Sequence, residues 1–220
     1  YVLLLVDGIP VNDFNNGIAD WNIIPINHIE KIELIRGGGS SAYGDLAVGG
    51  VINVVTKRNI LKNNYSVSVK SDQYNRKSLN LNTDYQKNLN SIGVNISREN
   101  AVGYRDHSKY KKNTYSGLYR GLLNSTNALN INFRYDKLNL ENSGALTQDL
   151  LDKDHLQSHS MYANDYRAYK KLGGTIQYSL GSGNKLTILS SFRTLDQDET
   201  RTLQLTSNLG DSQFEKQTST

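Results

Sequence analysis

From Tyr65 onward the chain alternates apolar and polar residues, and this pattern limits what it can fold into more than any other feature. Tyr65, Val67 and Val69 are interleaved with Ser66, Ser68 and Lys70. Leu79, Leu81, Thr83 and Tyr85 alternate with Ser78, Asn80, Asn82 and Asp84; Ile92, Val94 and Ile96 alternate with Gly93, Asn95 and Ser97. Leu129, Ile131, Phe133 and Tyr135 repeat the pattern with Asn130, Asn132, Arg134 and Asp136, and residues 175–180 and 186–189 extend it. A period of two puts one kind of side chain on one face of a strand, whereas on a helix these residues would form no apolar stripe. Strands are expected near 65–74, 77–86, 91–100, 113–122, 128–137, 172–180, 185–195 and 213–220. The second, fourth and sixth connections are short (87–90, 123–127, 181–184). The third, fifth and seventh are long, and the fifth runs from about 138 to 171. Only the first, at Asn75-Arg76, is tight where a long one is due. Short turns alternating with long loops is the pattern of a transmembrane β-barrel, and a soluble β-sandwich offers no reason for it.

Composition agrees. With 37% hydrophobic residues and a mean hydropathy of −0.56, an ordinary soluble core would be thin. No apolar run exceeds Val2 to Val6, so no transmembrane helix is expected, but barrel strands never show as hydropathy peaks. The absence of cysteine excludes disulfides and thiolate metal sites. The net charge of +4 is spread among acids and bases, so no segment reads as a nucleic-acid arm.

Ahead of the alternating region stands Ile29 to Lys57, IEKIELIRGGGSSAYGDLAVGGVINVVTK. It reads as a strand at Ile32–Arg36, a glycine-rich turn with a small helical segment from Gly37 to Gly50, and a buried strand at Val51–Thr56. It is not a phosphate loop, because no Gly-Lys-Ser/Thr follows, nor a dinucleotide fingerprint, because the acidic partner is missing. The stretch resembles the end of the plug domain of TonB-dependent outer-membrane receptors. The resemblance rests on Ile29, Glu30, Ile32, Glu33, Leu34, Arg36, Gly37, Tyr43, Gly44, Ala47, Gly49, Gly50, Val51, Ile52, Asn53, Val54, Thr56 and Lys57. Gly38 stands where the family has proline. Upstream, Leu5-Val6-Asp7-Gly8-Ile9-Pro10-Val11-Asn12 matches a second plug segment. Residues 13–20 read as a loop, and Pro25 bars a central strand at 21–27. His28 reads as a surface residue.

The resemblance implies an all-β-dominated fold: residues 1–57 as the C-terminal part of an α+β plug, 58–64 as a hinge, and 65–220 as the first eight or so strands of a barrel of about 22 strands. Tyr1 and Thr220 both fall in strand-like runs, so the chain reads as a piece of a longer polypeptide that does not fold alone. The implied function is energised uptake of a large, scarce nutrient across the outer membrane of a Gram-negative cell. The implied partner is TonB with ExbB–ExbD, acting through an N-terminal segment. A monomer in contact with outer-membrane lipid and lipopolysaccharide, without a cofactor or nucleic acid, is expected. Gly17-Ile18-Ala19-Asp20-Trp21 and Ser143-Gly144-Ala145-Leu146-Thr147 resemble segments of ferric-citrate-like receptors and point to a ferric chelate. Haem, cobalamin or a glycan are the alternatives, as is a non-transporting surface receptor or gene remnant.

Candidate functional residues follow. In the plug motif they are Glu30, Glu33, Arg36, Gly37, Tyr43, Gly44, Gly49, Gly50 and Asn53, with the charges read as a static ion-pair set for the plug's own fold or a latch against the barrel wall. In the outer loops Tyr104, Arg105, His107 and Tyr110, beside Lys109, Lys111 and Lys112, suit capture of an anionic chelate. Asp149, Asp152, Asp154 and His155 cluster without a nucleophile–base frame, so no catalysis is expected. His155 and His159 would share a face if that loop were helical, which raises metal or haem binding as a minor reading beside a solvated loop.

Overall fold

The computed structural model describes residues 2–12, 17, 19, 29–37, 43–44, 47–56, 63–181, 186–204 and 212–219. The chain forms two compact units, Tyr1–Leu61 and Lys62–Thr220.

The first unit is a four-stranded mixed sheet built from β1 (Leu3–Val6), β2 (Ile9–Pro10), β3 (Ile29–Arg36) and β4 (Gly50–Thr56), in the order β2-β1-β4-β3. The two central strands carry the continuous apolar runs LLLV and VINVV, as strands covered on both faces do. β1 pairs parallel with β4, Leu3 beside Val51 and Val6 beside Val54. Leu3, Leu5, Ala47 and Val51 form the buried cluster, each burial worth roughly 1.5–3 kcal/mol for the larger side chains. β1 and β2 are joined by Asp7-Gly8, both at positive φ (51° and 85°), which is the two-residue turn whose twist suits a hairpin. The expected strand at Ile32–Arg36 begins earlier, at Ile29, with a bulge before Lys31. Of the small helical segment expected over 37–50, and of the segments at 13–28, most lies outside the described residues.

The second unit is one antiparallel sheet of eight strands in sequence order: β5 (Asn64–Ser71), β6 (Lys77–Lys87), β7 (Asn90–Ala101), β8 (Tyr110–Leu122), β9 (Ala128–Glu141), β10 (Tyr166–Leu180), β11 (Leu186–Gln204) and β12 (Ser212–Ser219). All eight expected strands are present. Their ends on the long-loop side differ: β8 starts at Tyr110, β9 runs to Glu141, β10 starts at Tyr166 and β11 extends to Gln204. On the exposed face the extra residues are polar or charged, as at Lys111, Asn139, Asp196 and Asp198, so the apolar period of that face stops, while the backbone ladder needs none. The expected hinge at 58–64 is described only at 63 and 64, and Asn64 already belongs to β5.

Within this sheet the usual burial rule is inverted. Val67, Leu81, Ile96 and Tyr115 lie side by side in register and are 70%, 38%, 41% and 44% exposed. The neighbouring row on the opposite face holds Asn82, Asn95 and Ser116, which are 3%, 2% and 7% exposed. Much of the buried polar face is bonded internally: Asn95 Nδ2 donates to Asn80 Oδ1 (2.6 Å), and Asp136 accepts from Thr114 Oγ1 (2.6 Å) and from Arg134 Nε and an Nη (2.6 and 2.9 Å), while among the described residues Ser116 Oγ is buried without a hydrogen bond. A soluble sheet would bury the aliphatic face and wet the amides. This one presents its apolar side outward.

Glycines let the exposed face pack its rings. Gly117 faces Phe133 across β8–β9, and Gly174 lies opposite Phe192 across β10–β11. A β-carbon at Gly117 would sit 2.2 Å from the Phe133 ring, and one at Gly174 would sit 2.6 Å from Phe192. Each ring lies over bare backbone, the arrangement by which aromatics shield sheet glycines. Tyr85, Tyr119 and Tyr178 line the short-turn end of this face, and Tyr115 and Tyr135, with ring centroids 6.2 Å apart, lie toward the other end. The row between holds Val94, Phe133 and Phe192, and Leu81, Ile96 and Leu172 share the row of Tyr115 and Tyr135.

Candidate functional site

The plug motif residues form a polar frame around the sheet's central strands. Asp7 accepts from Thr56 twice, from its amide (2.9 Å) and from its hydroxyl (2.6 Å), and the Asp7 amide donates to the Val54 carbonyl (3.0 Å). Asn53 bridges two elements: its Nδ2 donates to Glu33 Oε2 (2.8 Å) and its Oδ1 accepts from the Gly8 amide (3.1 Å). Asn12, nearly fully buried, caps the strand edge by accepting from the Leu4 amide (2.8 Å) and donating to the carbonyls of Val2 and Gly17. Gly50 holds φ +128°, and a β-carbon there would lie 2.7 Å from the Ile35 carbonyl oxygen across the β3–β4 pair. Here the residue type is dictated by backbone approach.

The motif charges are placed by the same frame. Glu33, half-buried, also pairs with Lys31 at 2.6 Å. Glu30 and Arg36 are exposed within this unit, and among the described residues Arg36 makes no ion pair. Gly37, Tyr43, Gly44 and Gly49 are exposed as well. The structure brings Glu33 and Asn53 together and leaves Glu30, Arg36 and Tyr43 apart from them.

In the second unit, the long-loop end of the sheet is an ordered platform made from 72–76, 102–109 and 142–165. The last of these holds helix α1 (Gln148–Lys153), capped by Thr147, whose side chain accepts from the Leu150 amide, with Asp149 in its first turn and Lys153 in its last. Both charges suit the helix dipole. A 3-10 turn follows at Ser160–Tyr162. The helix ends at Lys153, so His155 and His159 do not share a helical face, which corrects that expectation. Leu156–Ser158 run irregular, and His159 instead caps the 3-10 turn, its Nδ1 accepting from the Met161 amide (3.2 Å). The described residues hold no group of three or more metal-ligating side chains.

Arg105 ties the loops together. Its Nε and one Nη donate to the Gln157 carbonyl (3.1 and 2.9 Å), and its other donors reach the carbonyls of Gly144 (2.7 Å) and Ser143 (3.4 Å). A guanidinium presents a fixed fork of donors, and here the fork is directed at chain carbonyls. His107, at φ 53°, contacts the Asp165 carbonyl through Nε2 (2.7 Å) and lies 3.8 Å from Glu141 through Nδ1. Asp165, 1% exposed, accepts from the Thr202 amide (3.0 Å) and hydroxyl (2.7 Å), which anchors the loop to the far end of β11. Gly144 packs its backbone against the buried ring of Tyr162, which explains the glycine in Ser143–Thr147.

Tyr104 stands between two rings, edge-on to Tyr74 (centroids 5.6 Å) and tilted against His155 (6.0 Å). Three loops thereby contribute one exposed aromatic group, with Tyr74 46% and Tyr104 53% exposed. Tyr110 is not a loop residue; it is the first residue of β8. Sequence reasoning missed Tyr74 and Asp165. Tyr74 sits in a turn with no aromatic neighbour in sequence, and Asp165 differs in no local way from the other loop acids.

Comparison with known proteins agrees with the fold. Residues 1–51 match the TonB-dependent Receptor Plug Domain family. That match over the first unit, and the outward apolar face of the sheet that follows, are what the chain shares with TonB-dependent receptors. Among curated relatives, it is 48% identical over 56 residues to the vitamin B12 transporter BtuB of Vibrio cholerae serotype O1, covering 26% of this chain and 9% of that protein. Against BtuB of Vibrio vulnificus it is 39% identical over 89 residues, or 40% of this chain and 13% of that protein. Among solved structures, the ferric yersiniabactin uptake receptor FyuA of Yersinia pestis superposes with a TM-score of 0.74 at 16% identity, over 90% of this chain and 32% of that one. The unliganded ferric citrate transporter FecA gives 0.71 at 19% identity, over 90% and 32%. The chain therefore spans about a tenth of the curated relatives in matched sequence and about a third of the solved structures.

Proposed function

We propose that this chain is part of an outer-membrane active transporter, with residues 1–57 as the end of its plug and 65–220 as the first strands of its barrel wall. The observation that carries the reading is the inverted sheet: an exposed apolar belt of aliphatic and Phe side chains edged by tyrosines, backed by a buried polar face. Along β9 the belt from Leu129 to Tyr135 runs about 20 Å at ~3.4 Å per residue, on the scale of the roughly 25 Å apolar band of such barrels. Uptake is driven by TonB with ExbB–ExbD, and the cargo is too large or too scarce for open pores. The chain carries no catalytic role in this reading.

The cargo proposed first is a ferric chelate. The ordered Ser143–Thr147 loop and the aromatic group of Tyr74, Tyr104 and His155 favour it, since flat or aromatic chelators stack on such rings. Within the same mechanism, identity to vitamin B12 transporters over the plug segment favours cobalamin as the second reading. Uptake of labelled ferric citrate, ferric catecholate and cyanocobalamin by source cells with and without the full-length gene, each with and without TonB, separates the two. Loss of one cargo only in the deletion strain, and equally without TonB, supports transport and identifies the cargo. Unchanged uptake of all three rejects both readings.

A further inference from the structure

The turn Gly103-Tyr104-Arg105-Asp106-His107-Ser108 aims one imidazole at a seam between loops. Ser108 Oγ accepts from the Arg105 amide (3.1 Å) and donates to the Arg105 carbonyl, which closes the turn. His107 takes φ 53° at its corner, a left-handed conformation in which histidine is enriched over most side chains. Its ring meets the end of β9 at Glu141 and the end of the 142–165 loop at Asp165. The Asp165 carbonyl can only accept, so His107 Nε2 carries the hydrogen of that 2.7 Å contact. The same carbonyl accepts from the Asn142 amide (3.0 Å), so both ends of the 142–165 loop meet there. In the neutral ring Nδ1 is then a bare lone pair, turned toward the Glu141 carboxylate 3.8 Å away. In the protonated ring Nδ1 is a donor, and both sides of the imidazole face groups that accept.

The other charges on these elements leave that contact intact. Glu141 also accepts from the Lys109 amide (3.2 Å), and the exposed Lys109 ammonium lies 3.9 Å from it. Arg105 is engaged with chain carbonyls, Asp106 and His155 are exposed, and the Asp165 carboxylate is turned to Thr202. Tyr110 opens β8; on β10, Tyr166 donates to Asp198 (2.7 Å) and Arg167 pairs with Glu199 (2.8 Å). We propose that His107 is a proton-operated clasp: a proton on Nδ1 binds the 102–109 loop to Glu141 as well as to Asp165, and its loss as pH rises loosens both loops. Imidazole is the side chain that ordinarily changes charge between pH 5 and 8, a window in which a carboxylate is ordinarily ionised. The sign follows: the closed loops are favoured on the acid side and weakened on the alkaline side. The clasp also governs the exposed aromatic group. The Asp106 amide donates to the Leu156 carbonyl (2.7 Å), so the two loops it joins are those that bring Tyr104 against His155.

Its consequence for cargo capture rests on the transporter reading, so the test reads the clasp itself. Full-length receptor in non-ionic detergent is compared at about pH 5.5 and about pH 8 by amide hydrogen exchange. Protection is corrected for the intrinsic effect of pH and referred to peptides from β6 and β7. Peptides covering 103–109 and 142–165 are expected to be about three- to fivefold better protected at the lower pH, the scale of one partly exposed ion pair. H107Q keeps a donor for the Asp165 carbonyl but takes no proton, and E141Q removes the partner charge; each should flatten the response. H155Q, which removes an exposed imidazole of the neighbouring loop, should keep it. A parent response within about 1.5-fold overturns the proposal, as does a response that survives in H107Q or E141Q, or one that disappears in H155Q. Uptake by cells carrying the same receptors is scored separately. A flat exchange response in receptor that still imports cargo defeats only the clasp, whereas an intact response in receptor that imports nothing defeats only the transporter reading.

Discussion

Replacing Arg105 with alanine should free the long loop while leaving the sheet intact. The guanidinium makes four donor contacts to the carbonyls of Ser143, Gly144 and Gln157, at 2.7 to 3.4 Å, and no carboxylate competes for it among the described residues. Hydrogen bonds from a charged donor are worth about 1.5–3 kcal/mol each, but this residue is partly exposed and water can replace some of what is lost. Counting the two strongest and discounting for solvent gives about 2–3 kcal/mol of local stability, or roughly 30- to 150-fold in the opening equilibrium of the loop. The assay is amide hydrogen exchange on the full-length receptor in detergent, comparing peptides from 142–165 with peptides from β6 and β7. Protection should fall by that factor in the loop and stay constant in the strands. Arg105→Lys should recover only part of it, because an ammonium is a single point of donation and cannot span two carbonyls of separate segments. Loop protection within twofold of the parent would show that Arg105 holds nothing, and would return it to the group of residues available to a ligand.

Other substitutions probe the remaining parts. Gly117→Val puts a side chain into the Phe133 ring and should cost about 1–3 kcal/mol in detergent unfolding, with Phe133→Ala in the same molecule restoring much of it; equal stability of parent and single variant would refute the packing argument. Asp165→Ala leaves the Thr202 amide and hydroxyl without their buried acceptor and should lower protection at the end of β11 by about 2–3 kcal/mol, measured by exchange at 200–204. Asn53→Ala removes the bridge between Glu33 and the Gly8 turn and should loosen the plug sheet by about 1–2 kcal/mol, read from exchange of β1 and β4 without change in the barrel strands. The Tyr74→Ala/Tyr104→Ala pair should raise the half-saturating cargo concentration for uptake about five- to thirtyfold at unchanged surface abundance, and no change would remove the aromatic group from the capture site.

The local and periodic part of this protein is legible in its residues. Alternation over Tyr65–Tyr135 fixes which face each residue joins, because successive side chains in a strand must point to opposite sides. Together with the later alternating runs it yielded all eight strands, and it missed strand ends where the exposed face turns from apolar to charged, as at Lys137–Glu141, whose other face still carries Leu138 and Leu140, and at Asp196–Gln204. The plug motif was legible for a similar reason: Asp7-Gly8 and Gly50 answer backbone demands that few other residues meet. Tertiary structure alone decided the loop platform. Arg105 reads in sequence as an exposed cation suited to an anionic cargo, yet its partners lie 38 to 52 positions away, and nothing nearby in the chain signals them. For His155 a metal pair with His159 is the minor reading beside a solvated loop, and the helix that the pair would need stops two residues earlier. Tyr74 meets Tyr104 only because β5–β6 and β7–β8 place their connections side by side. Strand identity is set by neighbours in the chain, whereas which loops meet above the sheet is set by register across strands. That is a long-range property, absent from any local window.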